Sequence, residues 1–162
     1  MPRPRGKSLS THCFVDANHV GDNTTMRSMT GIHIFCNRAP IIWHSKRQNG
    51  LETSMFGSEF TSMKISVEMI LALRYKLRMF GVPIDGYNDI LCDNEALYKN
   101  ASTPESQLRK KHHIISYHMS REAVAGGACS MAKEDTETSL SDLFTKVLPR
   151  PRRELLLDIF NC

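Results

Sequence analysis

The cysteines of this chain are odd in number and scattered, and no two of them are closely spaced. The five residues are Cys13, Cys36, Cys92, Cys129 and Cys162, and no Cys-x-x-Cys motif occurs. A small disulfide-stabilised domain uses a dense, even set of cysteines, and a zinc ribbon needs closely spaced pairs. The sequence therefore argues against both classes and favours a reducing environment inside the cell.

Long apolar runs are also missing. The N-terminus, MPRPRGK, is basic, but no hydrophobic stretch of signal-peptide length follows it. The most apolar segment is interrupted by Lys, Arg and Glu, whereas a membrane helix needs about 20 consecutive apolar residues. We therefore expect an intracellular protein that has no membrane partner.

The remaining composition is that of an ordinary globular chain. The 162 residues include 41% hydrophobic and 23% charged side chains, which suits one domain with a hydrophobic core. A net charge of +4 weakly favours an anionic partner. We expect a flexible basic tail over residues 1–10, a folded domain over residues 11–149 and a basic C-terminal tail over residues 150–162.

Hydrophobic spacing divides the chain into strands and helices. Alternation and β-branched residues predict strands over residues 12–17, 30–36, 41–46, 89–93 and 128–134. Helical spacing predicts helices over residues 53–81, 94–100, 108–127 and 139–148. The fourth strand should return beside the first by a right-handed crossover. These elements predict an α/β fold with a mixed five-stranded sheet flanked by helices.

Four acidic residues lie where this topology could bring them together. Asp16 and Asp93 end the first and fourth predicted strands, which should be neighbours in the sheet. Glu59 lies in the early turns of the long helix, and Asp142 lies in the first turn of the last predicted helix. Two unit charges about 4 Å apart repel by roughly 4 kcal/mol at an effective dielectric constant near 20, so such a cluster favours a bound cation.

Carboxylate oxygens are hard ligands that suit magnesium or manganese. Two such ions about 3.5–4 Å apart can hydrolyse a phosphodiester, because one generates a hydroxide nucleophile and the other stabilises the leaving oxygen. The four acids are therefore candidates for a two-metal hydrolytic site.

Each acid also has a purely structural interpretation. Asp93 could cap a helix, and Asp142 fits a Ser-x-x-Asp capping box with Ser139. Glu59 could interact with the dipole of the long helix, and Asp16 could be a turn residue. Capping and metal binding are compatible, so the pattern alone leaves both interpretations open.

Six segments occur in order between residues 12 and 149: FVDANHVGDNTTMRSMTG, IIWHSKRQ, FGSEF, CDNEA, KKHHIISYHMSREAV and LSDLFTKVLP. Together they resemble the RNase H domain of copia-type retrotransposon polyproteins. The resemblance implies an RNase H-like fold and cleavage of the RNA strand of RNA–DNA hybrids. It assigns catalytic and metal-binding roles to Asp16, Glu59, Asp93 and Asp142, with two Mg²⁺ ions, or Mn²⁺, as cofactors.

The same resemblance implies a setting for the domain. The reverse transcriptase domain of the same polyprotein becomes an expected partner. The expected location is the cytoplasm or a retrotransposon particle, with the nucleus as an alternative.

The chain departs from the family pattern in several places. Asn18 and His19 stand where the first motif often has Asp and Trp, and Ser141 replaces a usual alanine. The loop EDTETS lacks the histidine that many relatives carry before the last helix. A proton shuttle would then need Glu134, Glu137 or water.

A hybrid presents two rows of phosphates and one row of 2′-hydroxyl groups. Lys and Arg supply salt-dependent attraction to phosphates, and polar side chains near the acids could read the 2′-hydroxyl. RKKHH, residues 109–113, is the densest basic segment, although it could equally be a solvated helix face. The candidate hybrid-binding residues are Arg27, Ser28, Lys46, Gln48, Ser58, Asn94, Lys110 and Lys111. Trp43 and Phe35 are predicted to be core residues and not base-stacking residues.

Two other functions fit the same residues. A decayed copy could keep the fold and bind nucleic acid without cleaving it, or the domain could only support an adjoining reverse transcriptase. Metal affinity separates the nuclease from both alternatives, and salt-dependent hybrid binding separates the two alternatives from each other.

Overall fold

A five-stranded mixed sheet with helices on both faces is the architecture of the computed structural model, which describes residues 3–22, 24–102 and 114–161. The strands are β1 (Leu9–Asp22), β2 (Arg27–Cys36), β3 (Ala39–Arg47), β4 (Ile84–Cys92) and β5 (Cys129–Lys133). The helices are α1 (Met55–Met79), α2 (Glu95–Ser102), α3 (Ile114–Ala125), α4 (Asp142–Thr145) and α5 (Arg150–Asn161).

The strand order is β3-β2-β1-β4-β5. Strands β1, β2 and β3 form an antiparallel meander, and β4 lies parallel to both β1 and β5. The predicted α/β class and the return of the fourth strand beside the first are therefore confirmed.

The larger core lies between the sheet and α1. Alternate residues of β1 and β2 point into it, as the two-residue period of a strand requires. Helix α1 contributes residues at a spacing of three or four, which places them on one face. The fully buried side chains of this core include Cys13, Ile32, Ile34, Phe60, Met63, Val67, Ile70 and Ile90. Burial of each large side chain contributes about 1.5–3 kcal/mol.

A second core lies on the opposite face of the sheet. Phe35, Leu140 and Leu156 are buried there, and Phe14 and Phe160 pack against them. Leu156 and Phe160 belong to α5, four residues apart on one helical face. The C-terminal segment, expected as a basic tail, is therefore a helix with a buried residue. The Pro- and Arg-rich start of this segment masked the apolar helical spacing that follows it.

Helix α1 begins and ends close to its predicted limits. The side chain of Ser54 accepts a hydrogen bond from the backbone N–H of Gly57, which caps the first turn. Gly81 follows the helix with a φ of 73°, a conformation that suits glycine.

Two other predictions differ from the structure, and a third falls partly outside the described residues. Strand β1 runs from Leu9 to Asp22, so Asp16 lies within the strand and not at its end. The last predicted helix shrinks to the single turn α4, after which Lys146 is extended and Pro149 precedes α5. Residues 108–113 of the predicted basic helix lie outside the described part of the chain.

The ends of the domain and one surface residue also differ from expectation. The expected N-terminal tail contributes Leu9 and Ser10 to β1, and the backbone N–H of Arg5 donates to Gly81 O at 2.9 Å. Trp43, predicted to be a core residue, is 66% exposed on the edge strand β3. In the described part of the chain, no helix is both long and apolar enough to cross a membrane.

Candidate active site

Three aspartates meet at one edge of the sheet. Residues Phe14 of β1 and Leu91 of β4 are paired, and Asp16 and Asp93 each lie two positions further along. The same register therefore places these two acids side by side on one face. Asp142, the first residue of α4, completes the group, and one carboxylate oxygen from each aspartate lies within 4.8 Å of the other two.

The absence of a side chain at Gly31 allows α4 to approach the sheet. Gly31 pairs with Asp16 in the β1–β2 ladder. A Cβ atom at this position would lie 2.5 Å from Thr145 Cγ2 and 3.0 Å from Ser141 O. The close contact between β2 and α4 thus brings Asp142 towards Asp16, and it explains why a glycine is needed inside a buried strand.

Glu59 approaches the same site from the second turn of α1. Its side chain is only 7% exposed, and its carboxylate stands outside the group of three aspartate oxygens among the described residues. Burial raises the pKa of Glu59 to about 7, a hydrogen bond from Asn94 opposes the rise, and the charges of Asp93 and Asp16 add to it. A carboxyl group with this pKa gains or loses its proton near neutral pH.

Burial also raises the pKa of the carboxyl groups of Asp93 and Asp142. For Asp93 the charge of Asp16 adds to the effect, whereas Lys146 opposes it. For Asp142 the hydrogen bond and the charge of Lys146 oppose the effect of burial. Accumulated negative charge in a poorly solvated site is the condition that a bound cation relieves.

Protein cations already neutralise part of this charge. The Lys146 ammonium lies 2.5 Å from Asp142 Oδ1 and 3.4 Å from Asp16 Oδ2. Arg152 Nη2 lies 2.7 Å from Asp142 Oδ2, and Thr145 Oγ1 donates a hydrogen bond of 2.5 Å to Asp16 Oδ2. The cluster is thus a cation-binding environment built from hard oxygen ligands, which fits magnesium or manganese.

Sequence reasoning missed Lys146, Arg152 and Thr145. Lys146 follows Asp142 by four residues, a spacing at which side chains meet on a helix, so its contact was detectable. Arg152 had no such signal, because its segment was interpreted as a tail.

The structure decides against two of the structural interpretations of the acids. Asn94, and not Asp93, caps α2, since its Oδ1 accepts from the N–H groups of Ala96 and Leu97 at 2.9 and 3.1 Å. The N-cap of α4 is Ser141, which makes no side-chain capping bond. Neither Asp93 nor Asp142 therefore acts as a helix cap.

The two remaining structural interpretations also fail. Asp16 lies inside β1 and not in a turn, and Glu59 lies beyond the first turn of α1.

The candidate hybrid-binding residues differ in their exposure to solvent and in their contacts. Lys46 is exposed near the end of β3, and Arg27 is partly buried at the start of β2. Ser28 is buried, and its hydroxyl lies 3.3 Å from His19 Nδ1. Asn94 is occupied by its capping bonds, and Lys110 and Lys111 lie outside the described residues. The role of each in hybrid binding stays a prediction.

Gln48 and Ser58 are buried within the protein. Gln48 Nε2 donates to Thr30 Oγ1 at 3.0 Å and to Ser58 O at 2.8 Å, and it lies 3.2 Å from Ser62 Oγ. This network joins the end of β3 to the first turns of α1, next to Glu59. In this conformation the Gln48 side chain positions the helix, and it does not face solvent.

Of the two candidate proton shuttles, Glu134 is partly buried and Glu137 is exposed. Burial raises the pKa of Glu134 to about 8, and the charges of Asp93 and Asp142 contribute. No hydrogen-bond partner for Glu134 Oε2 is found within the described ranges. A carboxyl group with a raised pKa thus lies within electrostatic reach of Asp93 and Asp142.

The meander, the crossover and the acidic sheet edge together define the RNase H fold. The structure matches RNase H1 of the halophilic archaeon Halobacterium salinarum with a TM-score of 0.61 and 12% identity, over 93% of this chain and 98% of that one. It also matches LC11-RNase H1, solved in complex with an RNA/DNA hybrid, with a TM-score of 0.60 and 14% identity, over 84% of this chain and 94% of that one. At these identities the likeness shows the fold alone.

The homologues of the chain are retrovirus-related Pol polyproteins of copia-type transposons. It is 30% identical over 146 residues to the polyproteins from transposons RE2 and RE1 of Arabidopsis thaliana. The match includes 90% of this chain and 10% of each polyprotein, so the chain spans about a tenth of the length of these curated relatives. No family model matches the chain. The predicted resemblance and fold are confirmed.

Proposed function

We propose that this chain is a metal-dependent ribonuclease that cleaves the RNA strand of RNA–DNA hybrids, as a domain of a transposon polyprotein. The observation that carries the proposal is the convergence of Asp16, Asp93 and Asp142, whose ligand oxygens lie within 4.8 Å of one another, on an RNase H fold. A hybrid is the ligand of one structural neighbour, which supports the choice of substrate.

The three aspartates would hold one or two divalent cations, Mg²⁺ or Mn²⁺, with Glu59 as a fourth ligand. When bound, such ions supply a hydroxide nucleophile at neutral pH and stabilise the leaving oxygen of a phosphodiester. Glu59 must lose its proton to act as a ligand, and its pKa of about 7 makes this accessible at neutral pH. Glu134, with a pKa of about 8, can hold a proton beside the site for the leaving oxygen.

A basic cleft between β3 and α1 would receive the phosphates of the hybrid. Lys46 and Lys64 line this cleft together with His44 and Gln48. Arg47 also lines it, although its guanidinium is 2.8 Å from Asp22. Positive charge outside the acidic cluster suits a substrate whose phosphates extend well beyond its scissile bond. A reverse transcriptase domain of the same polyprotein is the expected protein partner.

The proposal is tested by cleavage of an end-labelled RNA–DNA hybrid in Mg²⁺. Wild-type protein should cut the RNA strand, and Asp93→Asn should reduce the rate by more than about a hundredfold, because loss of a cation ligand removes several kcal/mol of transition-state stabilisation. Asp89→Asn is the matched control, since Asp89 lies on β4 with a half-exposed side chain that pairs with His12. Its activity should equal that of the wild type.

Duplex DNA of the same sequence should remain intact. Failure of folded wild-type protein to cut the hybrid with either Mg²⁺ or Mn²⁺ would contradict the proposal. Tight hybrid binding without cleavage would instead favour the non-catalytic binding module.

A further inference from the structure

The ammonium group of Lys146 lies inside the aspartate cluster. Its Nζ is 2.5 Å from Asp142 Oδ1 and 3.4 Å from Asp16 Oδ2, and its side chain is 34% exposed. Lys146 therefore bridges two of the three aspartates that define the candidate metal site.

We propose that Lys146 is a tethered counter-cation of Asp16 and Asp142, which has to move away when a divalent cation binds between these two residues. The inference rests on the proposed function, because it concerns the same site. Mg²⁺ binds carboxylate oxygens at about 2.0–2.1 Å. An ion on Asp142 Oδ1 would share that oxygen with the ammonium group, and the two positive charges would repel each other at short range.

The position of Lys146 in the fold permits this movement. Lys146 follows the last turn of α4 in an extended conformation, with φ −127° and ψ 149°, and its neighbour Val147 is fully exposed. Four rotatable carbons connect the ammonium to the backbone, so the charge can reach solvent without a change in α4. The aspartates would then be paired in both states, first with Lys146 and then with the metal.

Arg152 contacts the same carboxylate in a different way. Its Nη2 lies 2.7 Å from Asp142 Oδ2, the oxygen that Lys146 leaves free, and it also donates to Thr136 O at 2.6 Å. The planar guanidinium is thus anchored by α5 on one side and by a backbone carbonyl on the other. Arg152 is a positioning residue, which holds the orientation of Asp142 while Oδ1 exchanges its partner.

The two cations should therefore affect metal affinity in opposite directions. Calorimetric titration of metal-free protein with MnCl₂ measures this directly. Lys146→Met removes a competing charge and keeps most of the stem, so Mn²⁺ should bind about tenfold more tightly than to the wild type. Arg152→Met loosens Asp142, so Mn²⁺ should bind about tenfold more weakly.

A matched control separates this mechanism from a general effect of charge. Lys99 is also paired with a carboxylate four residues before it, Glu95, at 2.6 Å, but on the exposed face of α2. Lys99→Met should leave Mn²⁺ affinity unchanged. If loss of any positive charge simply favoured cations, Arg152→Met would bind Mn²⁺ more tightly, which would overturn the inference.

Thermal unfolding gives a second readout that does not depend on affinity. In EDTA, Lys146→Met should unfold at a lower temperature than the wild type, because its aspartates lose their counter-cation. Added Mg²⁺ should remove this difference in unfolding temperature, because the metal then neutralises the aspartates in both proteins. Wild-type binding of Mn²⁺ with no gain in Lys146→Met would overturn the role of Lys146 alone, whereas no binding by any folded variant would overturn the proposed metal site as well.

Discussion

At the scale of single residues, His33 is the least expected feature of the second core. It is fully buried, and its ring stacks on Phe160 with centroids 4.6 Å apart and an interplanar angle of 14°. Phe35 and Phe144 contact the other parts of the ring. Neither ring nitrogen has a hydrogen-bond partner in the part of the chain that the structure describes. The fold thus uses His33 as an aromatic residue, in its neutral form.

Acid should therefore destabilise the protein through His33. Burial lowers the pKa of His33 to about 4 from an ordinary value near 6.5. The unfolded chain binds the proton more readily, so the stabilising contribution is complete above pH 6.5 and is lost as the pH falls towards 4. A difference of this size corresponds to about 3 kcal/mol of unfolding free energy.

The measurement compares urea unfolding of wild-type protein and His33→Phe between pH 7.5 and pH 4, both in EDTA. The raised pKa values of Glu59 and Glu134 act in the opposite direction, but they are common to both proteins and cancel in the difference. As the pH falls, the free energy of unfolding of His33→Phe should rise relative to that of the wild type. Parallel stability curves would show that His33 does not titrate in the folded protein.

At the scale of elements, α5 connects the second core with the candidate site. Leu156 is buried against the sheet, and Arg152, four residues earlier, reaches Asp142. One face of a 12-residue helix therefore serves both packing and electrostatics. Because an isolated helix of this length is marginally stable in water, contact with the sheet must hold α5 in place.

Two neighbouring leucines of α5 test whether packing on the sheet holds this helix in place. Leu156→Ala should lower the free energy of unfolding by about 2–5 kcal/mol, since it leaves a cavity in a closed apolar cluster. Leu155→Ala is the matched control, because Leu155 is 53% exposed, and its cost should stay within about 0.5 kcal/mol. Urea unfolding of both variants measures the difference. Equal costs would mean that α5 is not docked on the sheet in solution.

At the scale of the whole molecule, the placement of charge matters more than its sum. The net charge of +4 is modest, and the acidic cluster and the basic cleft lie near the same end of α1. From Glu59 to Lys76, near the other end of this helix, the rise of an α-helix amounts to about 25 Å. A hybrid bound over the acids should therefore contact Lys46 and not Lys76.

Salt dependence of hybrid binding tests this arrangement. In an Asp93→Asn background, which prevents cleavage, Lys46→Gln should weaken binding and reduce the slope of log K against log salt by about one. Lys76→Gln carries the same change of charge on an exposed residue and should leave the slope unaltered. Equal effects of both variants would mean that the hybrid is attracted by net charge only.

Local patterns predicted most of the architecture. Alternation along β2 and the helical spacing of Phe60, Met63 and Val67 depend only on residues that are close in the chain. The strand and the helix could therefore be predicted without a structure. The errors concern places where distant segments meet. Trp43 was predicted to lie in the core, but it lies on an edge strand, and the segment of Leu156 was interpreted as a tail because of its prolines and arginines.

The candidate site shows the same contrast between local patterns, which could be predicted, and long-range contacts, which could not. The motifs were enough to predict Asp16, Glu59, Asp93 and Asp142 as site residues, because each stands in a short motif whose order along the chain matches the resemblance. The folded chain was needed to show that oxygens of three of them lie within 4.8 Å of one another and that Lys146 contacts two of these three. The reason is physical: the β1–β4 register and the Gly31 contact are long-range, and they alone set the distance between charges on separate elements.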